Sequence, residues 1–105
     1  MTEQELLVLI ARGEDGRHQF KVDATNADQL GTELVAFANS GGGRLLLGVA
    51  DNGTVVGLDA AAVRRLNQLV SNASSQHVRP PVHPTTQNVT TGLGIVMVVT
   101  VNDGL

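Results

Sequence analysis

A chain of 105 residues with 42% apolar residues holds enough hydrophobic material for one core, while a formal net charge of −3 argues against a strong, sequence-independent hold on phosphates. The absence of Cys excludes a disulfide framework and a thiolate metal site, and two aromatics, Phe20 and Phe37, are too few for an extended stacking platform. No apolar stretch approaches the roughly 20 residues that span a bilayer, and Met1 is followed by Thr2, Glu3, Gln4 and Glu5 instead of a basic leader, so the expected setting is cytoplasmic, without membrane contact.

From Glu3 to Arg12, the residues Leu6, Leu7, Leu9 and Ile10 fit one face of a short helix, and Gly13 supplies a stop. After the turn Glu14-Asp15-Gly16, residues 18–22 alternate as a strand with Phe20 and Val22 facing one way. Asn26 followed by Gln29 has the form of a capping box for a helix whose Leu30, Leu34, Phe37 and Ala38 recur on one face, through about Asn39. Ser40-Gly41-Gly42-Gly43 ends that helix. Residues 44–50 then form a nearly continuous apolar run, as expected of a central strand buried on both faces.

Asp51-Asn52-Gly53-Thr54 reads as a hairpin turn leading into an antiparallel strand over residues 54–58. Asp59 can cap a helix that carries Val63, Leu66, Leu69, Val70 and Ala73 inward, closed by Pro80-Pro81. Residues 82–101 read as two further strands around Thr91-Gly92, the second over residues 95–101. The expected fold class is α/β (α+β): a mixed, largely antiparallel sheet with two to three packed helices, and Phe37, Leu47, Val49, Leu66 and Val98 in the core. Residues 1–105 read as one domain. Because the chain stops at Asn102-Asp103-Gly104-Leu105, directly after a strand, we expect it to be the N-terminal piece of a longer protein.

Three sets of residues could carry chemistry. The glycine run invites a phosphate-loop reading, but it follows a helix, precedes a strand and lacks the Lys of such a loop, so a helix C-cap with a close backbone crossing accounts for it better. Glu14, Asp15, Asp51 and Asp59 could gather around a divalent ion, although Asp51 and Asp59 already have local roles in a turn and a cap. His18, His77 and His83 lack the spacing of a metal pair and receive no role. The basic residues are Arg17, Lys21, Arg44, Arg64, Arg65 and Arg79. Arg17 and Lys21 flank the first strand and Arg44 follows the glycine turn, so these three could converge as a phosphate-facing patch, with Arg64 and Arg65 on a helix as second choices.

In order along the chain, Glu14…Gln19-Phe20-Lys21, then Ala36-Phe37-Ala38-Asn39-Ser40-Gly41-Gly42, then Leu46-Leu47-Gly48-Val49-Ala50-Asp51-Asn52-Gly53…Val56-Gly57 resembles the Schlafen AlbA-type domain over roughly residues 14 to 59. The resemblance implies the N-terminal part of a transcriptional regulator of bacteria or archaea, of a kind also labelled helicase-related or ATP-binding. In animal Schlafen proteins similar domains cleave RNA with two Glu and one Asp, which would fall on Glu14, position 19 and Asp51. Position 19 is Gln here, and an amide cannot supply the anionic charge that helps hold a divalent ion, which favours binding over cleavage.

The expected function is therefore a nucleic-acid-binding module of a transcriptional regulator, DNA ahead of RNA, with no catalytic residue, metal or cofactor assigned and homo-oligomerisation left open. A metal-dependent nuclease using Glu14 and Asp51 and a nucleotide-binding domain built on Gly41 to Gly43 are the alternatives.

Overall fold

A computed structural model of the protein describes residues 1–76 and 82–103. The expected stop at Pro80-Pro81, together with His77, Arg79, Gly104 and Leu105, lies outside those residues. The first helix, α1 (Glu3–Arg12), begins at a full capping box that the sequence reading did not include: the Glu5 N–H donates to Thr2 Oγ1 at 3.1 Å and the Thr2 N–H to Glu5 Oε1 at 3.4 Å. Leu6 and Ile10 are its buried residues, whereas Leu7, expected inward, is 45% exposed. α1 lays a narrow stripe on the sheet, and a residue one position from Leu6 is rotated about 100° away from it.

Strand β1 (His18–Lys21) follows, with Phe20 buried. Val22, expected on the same face as Phe20, is exposed because the strand ends at Lys21 and the chain turns away. Helix α2 (Ala27–Asn39) starts where Asn26 accepts the Gln29 N–H at 3.0 Å, and it buries Leu30, Leu34, Phe37 and Ala38 as its periodicity requires. Strand β2 (Gly43–Leu47) runs parallel to β1.

Residues 54–58 do not form the expected strand. They make two isolated antiparallel bridges, Val49 with Val55 and Leu58 with Ile95. Gly57, at φ +83°, turns the chain between them, and the Val56 and Gly57 N–H groups both donate to the Gly48 carbonyl. The expected turn itself is present, with the Gly53 N–H donating to Ala50 O and the Ala50 N–H to Thr54 O, each at 2.8 Å. Helix α3 (Ala60–Gln76) is capped by Asp59, whose Oδ1 accepts the Ala62 N–H at 2.8 Å. Strands β3 (Thr85–Thr91) and β4 (Gly94–Val101) close the chain as an antiparallel hairpin.

The sheet order is β1-β2-β4-β3, so β2 and β4 are the inner strands, and the fold is the expected mixed α+β architecture, with three helices among the described residues. Alternation then explains the apolar runs in β2 and β4. Leu45, Leu47, Met97, Val99 and Val101 meet α2 and α3 on one face, while Leu46, Val96 and Val98 meet Leu6 and Ile10 of α1 on the other. Leu45, Leu46 and Leu47 are all at 0% exposure, each burial contributing roughly 1.5–3 kcal/mol, and such a strand has no room for a polar residue on either face.

Candidate functional site

β1 and β2 start together at one end of the sheet, because their parallel register sets His18 opposite Arg44. Residues 15–18 make a tight turn there: Asp15 and His18 exchange backbone hydrogen bonds at 3.0 and 3.4 Å, and Asp15 Oδ1 accepts the Arg17 N–H at 2.8 Å. His18 Nδ1 lies 3.0 Å from the same Asp15 oxygen. The Arg17 N–H, and after it the His18 imidazole, hold the Asp15 carboxyl below its ordinary value. The turn places the Arg17 guanidinium over Gly41, where an added Cβ would sit 3.1 Å from Arg17 Nη2. That position is the C-terminal end of α2, whose carbonyl dipoles favour a cation.

Arg17, His18, Gly41 to Gly43 and Arg44 line an open pocket of about 290 Å³, completed by the end of β4 from Thr100 to Asp103. Neither guanidinium pairs with a carboxylate among the described residues, although Asp103 stands in the pocket wall with a partner of its own. Three of the lining residues belong to a row. His18, Arg44 and Thr100, with Thr85, lie opposite one another in successive strands, one step beyond Phe20, Leu46 and Val98 on the α1 face. From the sequence His18 received no role and Thr100 only a place in a strand. The signal for His18 was local, an Asp three residues before it and an Arg beside it.

The remaining basic candidates go elsewhere. Lys21 is at the opposite end of β1 and on the opposite face from Arg44, with its Nζ 2.9 Å from Glu33 Oε1 of α2. The pair borders a second cavity of about 220 Å³ beside the start of α2, and Glu33 Oε2 is buried without a hydrogen bond. Arg65 reaches back from α3 to the loop before α2, donating to Ala24 O at 2.9 Å and to Asp23 Oδ1 at 2.6 Å. The Arg65 hydrogen bond is the main cause that holds the Asp23 carboxyl below its ordinary value. Arg64 is exposed on α3.

The acidic candidates are also separated. Glu14 Oε2 accepts the Phe20 N–H at 3.0 Å, Asp59 caps α3, and Asp51 is exposed in the turn before Gly53. Among the described residues, no group of three or more His, Cys, Asp or Glu side chains is placed to hold a metal ion. The glycine run sits at the carbonyl end of α2, not at a helix N-terminus with its outward N–H groups, and the Gly42 N–H is spent on Phe37 O at 2.7 Å.

The sequence profile of the family described as Schlafen, AlbA_2 matches residues 14–105. The chain belongs to this family. No curated protein matches it. Among solved structures, the AlbA_2 chain resembles the N-terminal domain of a RecG-related protein from Nitrosomonas europaea (22% identity, TM-score 0.58, covering 98% of this chain and 74% of that one). It also resembles the DIP2311 protein from Corynebacterium diphtheriae (21% identity, TM-score 0.56, covering 95% of this chain), of which it spans only 22% of the length. At these identities the likeness is one of fold.

Within the AlbA_2 domain, most positions of the motif string serve the backbone. Phe20 is buried against α1, Gly42 and Gly48 adopt positive φ at the two ends of β2, Gly53 does so in the turn, and Asn39 closes α2. Gln19 lies in β1 opposite Leu45 and is partly buried. No helix of the described residues is long and apolar enough to cross a bilayer.

Proposed function

We propose that this AlbA_2 domain binds the phosphate backbone of nucleic acid, DNA first, through Arg17 and Arg44 at the glycine turn, as a module of a transcriptional regulator. The supporting observation is that Arg17 and Arg44, 27 positions apart in the chain, line one open pocket without a carboxylate partner among the described residues, in a protein of net charge −3. Two arginines on one pocket of an acidic chain, neither paired with a described carboxylate, offer a place for an anion. Lys21 and Arg65, already paired with Glu33 and Asp23, act chiefly in tying β1 and its following loop to α2 and α3, and Arg64 is a peripheral contact.

Both aromatics are buried at 3% exposure, so bases have no ring to stack on, and contact through phosphates carries no direct sequence information. The name of the RecG-related neighbour refers to a DNA helicase, which makes duplex DNA the first ligand to test.

Binding to short DNA and RNA duplexes should be measured across salt, with and without magnesium. Two phosphate contacts contribute about 1.8 to the slope of log K against log salt, a fall of roughly twelvefold between 50 and 200 mM. Arg17→Ala with Arg44→Ala should remove that part of the slope about equally for all sequences. Unchanged binding in the double variant, or magnesium-dependent cleavage lost in Glu14→Ala or Asp51→Ala and raised in Gln19→Glu, would displace this function.

A further inference from the structure

The two outer strands of the sheet treat their free edges differently. On β1 the outward groups are used within the chain: His18 exchanges backbone hydrogen bonds with Asp15, and the Phe20 N–H goes to the Glu14 carboxylate at 3.0 Å. On β3 the pairing with β4 runs from Thr85 to Thr91 without a bulge, and among the described residues no backbone hydrogen bond reaches the outer edge. Alternate residues of such a strand present unpaired N–H and C=O groups, a template for another strand. The usual safeguards are missing. No Lys, Arg, Asp or Glu occurs between Arg79 and Asp103, so the whole β3–β4 hairpin is uncharged, and β3 contains no Pro.

The strand reads Thr85-Thr86-Gln87-Asn88-Val89-Thr90-Thr91, almost the same in either direction about Asn88. We propose that β3 pairs antiparallel with β3 of a second copy of this chain, about a two-fold axis through Asn88 perpendicular to the sheet, so that two four-stranded sheets join as one of eight. In this register Thr85 faces Thr91 and Thr86 faces Thr90 at both ends, Gln87 faces Val89, and Asn88 faces itself. An isologous contact requires a self-complementary patch, and cross-strand Thr pairs and amide pairs supply one without opposing any like charges. An unrelated strand would have no reason to match the palindrome.

The net negative charge of the chain lies outside the hairpin and does not oppose the approach at the seam. With seven residues a side the contact is small, so association is weak and concentration-dependent.

Sedimentation equilibrium on the full chain from about 1 μM to about 1 mM should show a monomer–dimer equilibrium. Asn88→Lys, an exposed position, sets two ammonium groups across the axis and should raise the dimer Kd about tenfold or more, with the circular dichroism of the fold unchanged. Because the chain has no Cys, Asn88→Cys introduces its one thiol. Facing Cα atoms in an antiparallel pair are about 4.5–5.5 Å apart, within disulfide reach, so mild oxidation should yield a covalent dimer far faster than for Thr32→Cys on the exposed side of α2. A chain that stays monomeric to the highest concentration, a dimer indifferent to Asn88→Lys, or cross-linking at 88 no faster than at 32 would each overturn the proposal.

Discussion

Gly42→Ala tests the turn that assembles the pocket. Gly42 is buried at φ +97°, and an added Cβ would sit 2.7 Å from the Val101 carbonyl oxygen and 3.3 Å from Asn102 C and Asp103 N. All three are backbone atoms, so no side chain can swing aside. The left-handed backbone costs a non-glycine residue about 1–2 kcal/mol, and pushing the end of β4 away costs a further 1–3 kcal/mol or so, for a loss of roughly 2–5 kcal/mol. Gly53→Ala is the control: it too has positive φ, +88°, but its Cβ would meet only Ile10, at an ordinary 3.5 Å. It should lose only the conformational part, about 1–2 kcal/mol. Urea titrations of both variants, with unchanged m-values, isolate the close approach as the difference between them. A Gly42→Ala protein within about 0.5 kcal/mol of the parent, or no less stable than Gly53→Ala, would refute the crossing of β4 over this turn.

Lys21→Met should destabilise by about 1–3 kcal/mol, between the values for exposed and for fully buried pairs because Lys21 and Glu33 keep 27% and 19% side-chain exposure, and adding Glu33→Gln should restore part of it. Loss of DNA binding in that variant at unchanged stability would return Lys21 to the phosphate site. Asp15 and Asp23 both have folded-state carboxyls held low, so their contribution is complete above the ordinary carboxylate pKa of about 3.9 and is lost as pH falls through the lower folded values. Carboxyl chemical-shift titrations should place both midpoints below about 3.9, and Arg65→Ala should move that of Asp23 upward; a midpoint at or above the ordinary value would contradict the hydrogen bonds described.

Local rules made much of the fold legible in the sequence. The i, i+4, i+7 spacing of Leu30, Leu34 and Phe37, the Asp59 cap, the Asn52-Gly53 turn and the apolar run of β2 each depend on residues close in the chain, and each appears in the structure. The ordered Phe-Ala-Asn and Leu-Gly-Val strings identified the family for the same reason: their glycines and apolar positions build one stretch of backbone. Leu7, Val22 and residues 54–58 departed from expectation because amphipathic spacing says which side of an element is apolar without saying how wide a neighbour covers it or where a positive-φ glycine turns the chain. The neighbours of Lys21, Arg65 and Arg17 were beyond any local rule. Lys21 meets Glu33 across α2, Arg65 reaches 42 positions back to Asp23, and Arg17 joins Arg44 because parallel pairing of β1 with β2 brings their starts together. Sequence chemistry determined which side chains are cationic, and only the register of the sheet decided which of them line one pocket without a carboxylate partner among the described residues, because long-range pairing depends on the packing of elements that no short window contains.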